Sequence, residues 1–176
     1  MRISEDLEAL KLALKSEEDG HKFYKQAEGR VESALAKTVF AALAQEEFEH
    51  IEIIKRFYSS LEEKREWPSL GEDKAPRGMA GNVRTVFEEA SEKLEEHVKV
   101  EAADRQAYDT AMEMENAAYS LYARLLQEAE GEKAKELYRF MCQLEKEHWD
   151  LLADTVLYLD NPRQWFFLHE RPVIEG

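Results

Sequence analysis

Cysteine is nearly missing from this chain. Cys142 is the single one among 176 residues, which excludes an intramolecular disulfide and any Cys-x-x-Cys metal site. No run of about eighteen apolar residues occurs, so no membrane-spanning helix is expected. No apolar stretch of the secretory-leader kind follows Met1-Arg2-Ile3, and the expectation is a cytoplasmic protein. Basic side chains are outnumbered, with 24 Lys and Arg against 38 Asp and Glu. The net charge of −14 argues against nucleic acid or an anionic membrane surface as a partner, because both would be repelled. Seven glycines and four prolines are few. Ala, Leu, Glu and Lys dominate instead, as in a mostly helical chain, and the length suits one domain with a proper core.

Apolar residues recur at three- and four-residue spacing in four long stretches. The first helix is expected over about residues 5–28, with Ser4 as N-cap and Gly29 as stop. Its inward stripe is Leu7, Leu10, Leu14, Glu17, Tyr24 and Ala27. The second, capped by Ser33, runs to about Leu61 with Leu35, Val39, Leu43, Glu47, His50, Ile54, Phe57 and Leu61 inward. The third covers about 104–128, with Tyr108, Ala111, Glu115, Ala118, Tyr122 and Leu125 inward. The fourth covers about 132–159, with Leu137, Met141, Glu145, His148, Leu152 and Thr155 inward. Between the second and third, residues 62–103 carry Trp67-Pro68, Gly71, Pro76, Gly78 and Gly81, and a short helix is expected over 83–96. This is far longer than a helix hairpin needs, so it reads as a crossover along the bundle. The fold expected is all-α: residues 1–160 as a four-helix bundle, then a tail, 161–176, that docks on the bundle or on a second subunit. Asn161-Pro162 suits the start of a further helix in that tail.

Carboxylates in the middle of apolar stripes need a reason. Glu47-x-x-His50 recurs as Glu145-x-x-His148, 98 residues later. Glu17 and Glu115 each stand 30 residues before a copy, and each is followed seven residues on by a tyrosine, Tyr24 or Tyr122. Residues i and i+3 share a helix face, so each Glu and His of a copy point the same way. At about 1.5 Å rise per residue, Glu17 and Glu47 lie roughly 18 and 21 Å from their shared turn, nearly level in an antiparallel pair. Glu115 and Glu145 are level by the same reasoning. Four buried glutamates repel one another and cannot all stay ionised unaided. Two divalent cations would balance them, with the neutral imidazoles supplying nitrogen. Oxygen-rich ligands with two histidines suit iron or manganese better than a structural zinc. Di-iron and di-manganese helix bundles use the same constellation.

These residues resemble the ferritin-like superfamily and, within it, the rubrerythrin family. Glu17-Glu-Asp-Gly-His-Lys-Phe-Tyr24 is similar to its first-helix motif and Glu115-Asn-Ala-Ala-Tyr-Ser-Leu-Tyr122 to its third-helix motif. Glu47-Phe-Glu-His50 and Glu145-Lys-Glu-His148 match the other two. The resemblance implies a ferritin-like four-helix bundle with one long crossover between helices two and three. It also implies two iron ions per chain, with manganese or zinc as substitutes, held by Glu17, Glu47, His50, Glu115, Glu145 and His148. The implied activity is reduction of hydrogen peroxide or oxygen with oxidation of ferrous iron, in a homodimer or larger homo-oligomer. Two departures stand out. No rubredoxin-like domain with paired Cys-x-x-Cys is expected from a sequence with one cysteine, so the electron donor is expected to be separate or absent. Met112 occupies the place of an extra family glutamate, three residues before Glu115. Two other functions fit the same residues: iron binding for storage, and a helical scaffold with a vestigial site.

The remaining polar residues have plainer readings. Tyr24 and Tyr122 are core aromatics whose hydroxyls also orient carboxylates. His21, His97 and His169 have no repeat partner and are read as surface or packing residues. Cys142 is read as a buried, inert thiol. Glu18, Glu46, Glu49 and Glu147 fall off the inward stripes and are expected in solvent.

Overall fold

The structure, a computed structural model, describes residues 3–71 and 102–169. Among them are four long helices, α1 (Ile3–Arg30), α2 (Ala34–Lys64), α3 (Ala102–Glu128) and α4 (Glu132–Asp160), and a short α5 (Pro162–His169). The long four form an all-α bundle. No helix among the described residues is long and apolar enough to cross a membrane.

Two short turns build two antiparallel hairpins, α1 with α2 and α3 with α4. Ser33 caps α2 as its residue type suggests, its hydroxyl accepting from the Ala36 N–H at 3.4 Å. The turn before it is gripped from the other hairpin. The buried Asp104 accepts the Glu32 and Ser33 backbone N–H groups, both at 3.1 Å. These two donors have no helical partner, so the carboxylate replaces water they have lost. Asp104→Ala is expected to cost about 2 kcal/mol, a fall in Tm of roughly 4–8 °C by calorimetry. An unchanged Tm would show that the contact stabilises nothing.

Two expected helix ends are corrected. Ser4 does not cap α1, which already begins at Ile3. Packing holds this first turn: Ile3 lies on the apolar core, and the buried Asp6 accepts from the Trp67 Nε1–H at 3.4 Å. Gly29 does not stop α1 either, because the helix continues to Arg30. The stop is tertiary, set by the buried Val31 and the Asp104 grip on the following turn.

The core divides into two apolar clusters. One joins Tyr24, Val31, Phe40 and Leu43 of the first hairpin and its turn to Tyr108, Leu152 and Leu159 of the second. The other joins Leu10, Ile54 and Phe57 to Tyr122, Leu137 and Met141. The C-terminal half of α1 thus meets the N-terminal half of α3, and the N-terminal half of α2 meets the C-terminal half of α4. The chain therefore leaves α2 at one end of the bundle and enters α3 at the other. The short helix expected over 83–96 lies outside the described residues.

At the end of α4, Asn161 Oδ1 accepts from the Gln164 N–H at 3.1 Å and starts α5, as its Asn-Pro sequence suggests. Trp165 anchors α5 on α4: its Nε1–H donates to Asp154 at 2.8 Å, and its ring meets Tyr158 edge-on at 5.4 Å. Phe167 and Leu168 on the same helix are exposed.

Candidate metal centre

Between the two apolar clusters lies a polar layer. Glu17, Glu47, His50, Glu115, Glu145 and His148 are all at most 3 % exposed. One comes from α1, one from α3, and two each from α2 and α4, so the duplicated spacing does bring all six to one level. His50 Nδ1 lies 2.9 Å from Glu17 Oε2, 3.7 Å from Glu47 Oε2 and 3.8 Å from Glu145 Oε1. His148 Nδ1 lies 3.2 Å from Glu47 Oε1 and 3.6 Å from Glu115 Oε1. The two imidazoles stack nearly parallel, 5.1 Å apart. Glu47 therefore stands between both rings, while Glu17 serves one and Glu115 the other.

The tyrosines act crosswise between hairpins. Tyr24 on α1 donates its hydroxyl to Glu115 Oε1 on α3, and Tyr122 on α3 donates to Glu17 Oε1 on α1. Burial and the neighbouring carboxylates hold both phenols well above their ordinary pKa, so they remain neutral donors. Tyr122 thereby leaves Glu17 Oε2 toward His50, at 2.9 Å, whereas Glu115 Oε1 both accepts from Tyr24 and is the oxygen 3.6 Å from His148 Nδ1. Tyr122→Phe keeps the ring and removes the donor. Divalent metal affinity on the Glu17 side is expected to fall roughly 10-fold, read by Mn(II) titration; unchanged affinity would deny Tyr122 an orienting role.

Charge within the layer is shared rather than localised. Burial, reinforced by the Glu47 charge, pushes Glu17 up to about 8. Burial and the charges of Glu17, Glu47 and Glu115 hold Glu145 well above the carboxylate range. Burial alone would raise Glu47 too, but the two histidines outweigh it and hold it far below that range. For the imidazoles burial favours the neutral form, yet Glu17 and Glu47 raise His50 to about 9, and Glu115, Glu46 and Glu47 raise His148. Without metal, then, protons do the work of cations in this cluster. A divalent ion would displace them.

The donor set fits metal. Three ligand groups have atoms within 4.8 Å of one another: Glu47 with His50 and His148; Glu47 with Glu115, Glu145 and His148; and Glu17 with His50 and Glu145. Glu145 Oε1, His148 Nδ1 and His50 Nε2 are buried without a hydrogen-bond partner. Orphaned atoms of this kind cost free energy unless something binds them. The model of the rubrerythrin family matches residues 8–156, which contain every residue of this layer. The chain belongs to the rubrerythrin family. No curated protein and no solved structure matches it. Rubrerythrin membership places it in general among metal-binding proteins of the di-iron oxidoreductase kind. The place of the extra rubrerythrin glutamate is taken by Met112, half-buried against the apolar cluster of Tyr24 and Tyr108, so no further carboxylate joins the layer there.

Two participants escape the periodicity. Glu46, expected in solvent, is only 12 % exposed and accepts from His148 Nε2 at 3.1 Å. It lies off the inward stripe of α2 but reaches sideways to α4. Gly20 sits where α1 passes Glu47: a Cβ there would come within 3.3 Å of the Glu47 carboxyl carbon. A mid-helix glycine costs about 1 kcal/mol relative to alanine, and close approach is a reason to keep it. Of the other histidines, His21 is a packing residue, with Nδ1 2.7 Å from the Ala44 carbonyl oxygen and its ring beside Phe48. His97 and the His169 side chain lie outside the described residues. Cys142 is half-buried, and burial raises its thiol pKa, in keeping with an inert thiol.

Proposed function

We propose that Glu17, Glu47, His50, Glu115, Glu145 and His148 hold two iron ions, and that the protein reduces hydrogen peroxide or oxygen as ferrous iron is oxidised. The observation that carries this reading is the buried convergence of four carboxylates and two imidazoles, in which Glu145 Oε1 and the inward His148 Nδ1 have no hydrogen-bond partner. When bound, the iron pair supplies two electrons, one from each ferrous ion, the number that reduces peroxide to water. The chain's residues do the rest. Glu47, facing both histidines, is suited to bridge, and Glu17 and Glu115 are suited to terminal positions. Tyr24 and Tyr122 fix the two terminal carboxylates. The apolar clusters above and below the layer exclude bulk water, which strengthens every charge interaction inside.

Electrons to restore the ferrous state come from a separate donor. The protein works in the cytoplasm as a homodimer or larger assembly of copies. Stopped-flow mixing of the anaerobic Fe(II)-loaded protein tests the reaction. Ferric absorbance is expected to rise with either oxidant, faster with peroxide than with oxygen at equal concentration. No ferric signal with either oxidant would overturn the oxidoreductase reading.

A further inference from the structure

The two halves of the layer repeat each other, so any departure from the repeat marks where two metal positions would differ. The residue before Glu47 is Glu46; its counterpart 98 residues on, before Glu145, is Leu144. Glu46 Oε2 accepts from His148 Nε2 at 3.1 Å across the α2–α4 interface. Leu144 is part of an apolar cluster, and His50 Nε2 is buried with no hydrogen-bond partner. One histidine of the pair is thus backed by a carboxylate, and its twin is not.

The difference has a chemical consequence. An acceptor behind Nε2 holds the hydrogen on that nitrogen, so Nδ1 is the one that offers its lone pair once a cation displaces the protons of the cluster. That nitrogen is the one facing Glu47 and Glu115, at 3.2 and 3.6 Å. A carboxylate behind a histidine fixes its tautomer and ring orientation and makes it a better metal ligand. On the other side no described residue hydrogen-bonds His50 Nε2, and the carboxylate in hydrogen-bond reach, Glu17 at 2.9 Å, meets the inward Nδ1 instead.

We propose that Glu46 is a positioning residue for His148 and makes the centre unequal, so that the His148 position takes a divalent cation first and more tightly than the His50 position. The proposal rests on the reading of these six residues as metal ligands, and its test separates the two claims. Co(II) is titrated anaerobically into the metal-free full chain and followed by visible absorbance and calorimetry. Two steps are expected, with His148→Ala removing the tighter and His50→Ala the weaker. Glu46→Leu, which copies the arrangement at Leu144, is expected to weaken the tighter step roughly 10- to 100-fold and leave the weaker unchanged. Glu46→Gln keeps an acceptor oxygen and should recover part of the loss. A general loss of structure would lower both steps together, and that result, like equal steps in the unaltered protein or no change in Glu46→Leu, would overturn the proposal. Absence of any Co(II) binding by the unaltered protein would overturn the ligand reading itself, and this inference with it.

Discussion

Replacing Glu47 with alanine is expected to empty both metal positions, whereas Glu17→Ala should empty one. The difference follows from where each carboxylate stands. Glu47 places one oxygen 3.7 Å from His50 Nδ1 and the other 3.2 Å from His148 Nδ1, and it belongs to two of the three convergent groups. Glu17 approaches His50 alone, at 2.9 Å. Bound iron should fall from about two per chain, the content of paired carboxylate centres of this kind, to well below one in Glu47→Ala. Glu17→Ala should retain about one, on the His148 side. Glu47→Gln, of nearly the same size, separates the missing charge from the missing volume and should lose iron as Glu47→Ala does. Circular dichroism confirms that the bundle is intact before the metal is counted. Full iron content in both Glu47 variants would mean that the carboxylate between the two histidines is no ligand.

The second large effect is on stability against pH in the metal-free protein. Glu17, raised to about 8, keeps its proton in the folded state above the pH at which the unfolded chain loses it. The folded state therefore binds more protons, and stability falls as pH rises from the ordinary carboxyl range toward 8. Glu145 is raised and acts with the same sign. His50, raised to about 9, gives stability that is complete below the ordinary imidazole value and lost as pH rises through 9; His148 follows it. Glu47, lowered, contributes in the opposite direction, but its window lies at the acid end, below the ordinary carboxyl value. Between pH 5 and 9 the raised groups decide the sign. With each pKa unit worth about 1.4 kcal/mol and strong coupling among the groups, the net loss is on the order of 3 kcal/mol. That lowers Tm by roughly 6–12 °C for a chain of this size. Metal binding releases these protons, so the Mn(II)-loaded protein should show a much flatter profile. A metal-free Tm that rises from pH 5 to 9 would contradict the shared-proton picture of the layer.

The bundle was legible in the sequence because its signals are periodic and repeated. Three- and four-residue spacing of Leu, Ile, Phe and Tyr marked the helices, and carboxylates inside those stripes marked the level of the site. The 98-residue repeat then paired Glu17 with Glu115 and Tyr24 with Tyr122, which the structure joins crosswise by hydrogen bonds. Tertiary contacts were harder to read. Glu46 lies one position off the stripe, where periodicity assigns solvent, and only the path of α4 brings His148 within its reach. The helix ends at Ser4 and Gly29 were misread because local capping chemistry lost to packing at Ile3, Val31 and Asp104. One available signal was missed. Asp6 and Asp104 are also 98 residues apart, and both are buried. Gly20 gave no sign of its closeness to Glu47, since close approach is a property of the neighbour and not of the glycine.

The most direct test of the centre is a count of iron per chain after anaerobic Fe(II) loading, desalting and exposure to oxidant. About two per chain is predicted for this ligand set. Many more would move the protein to iron storage, and none would mean that the four carboxylates and two histidines do not work as a metal site.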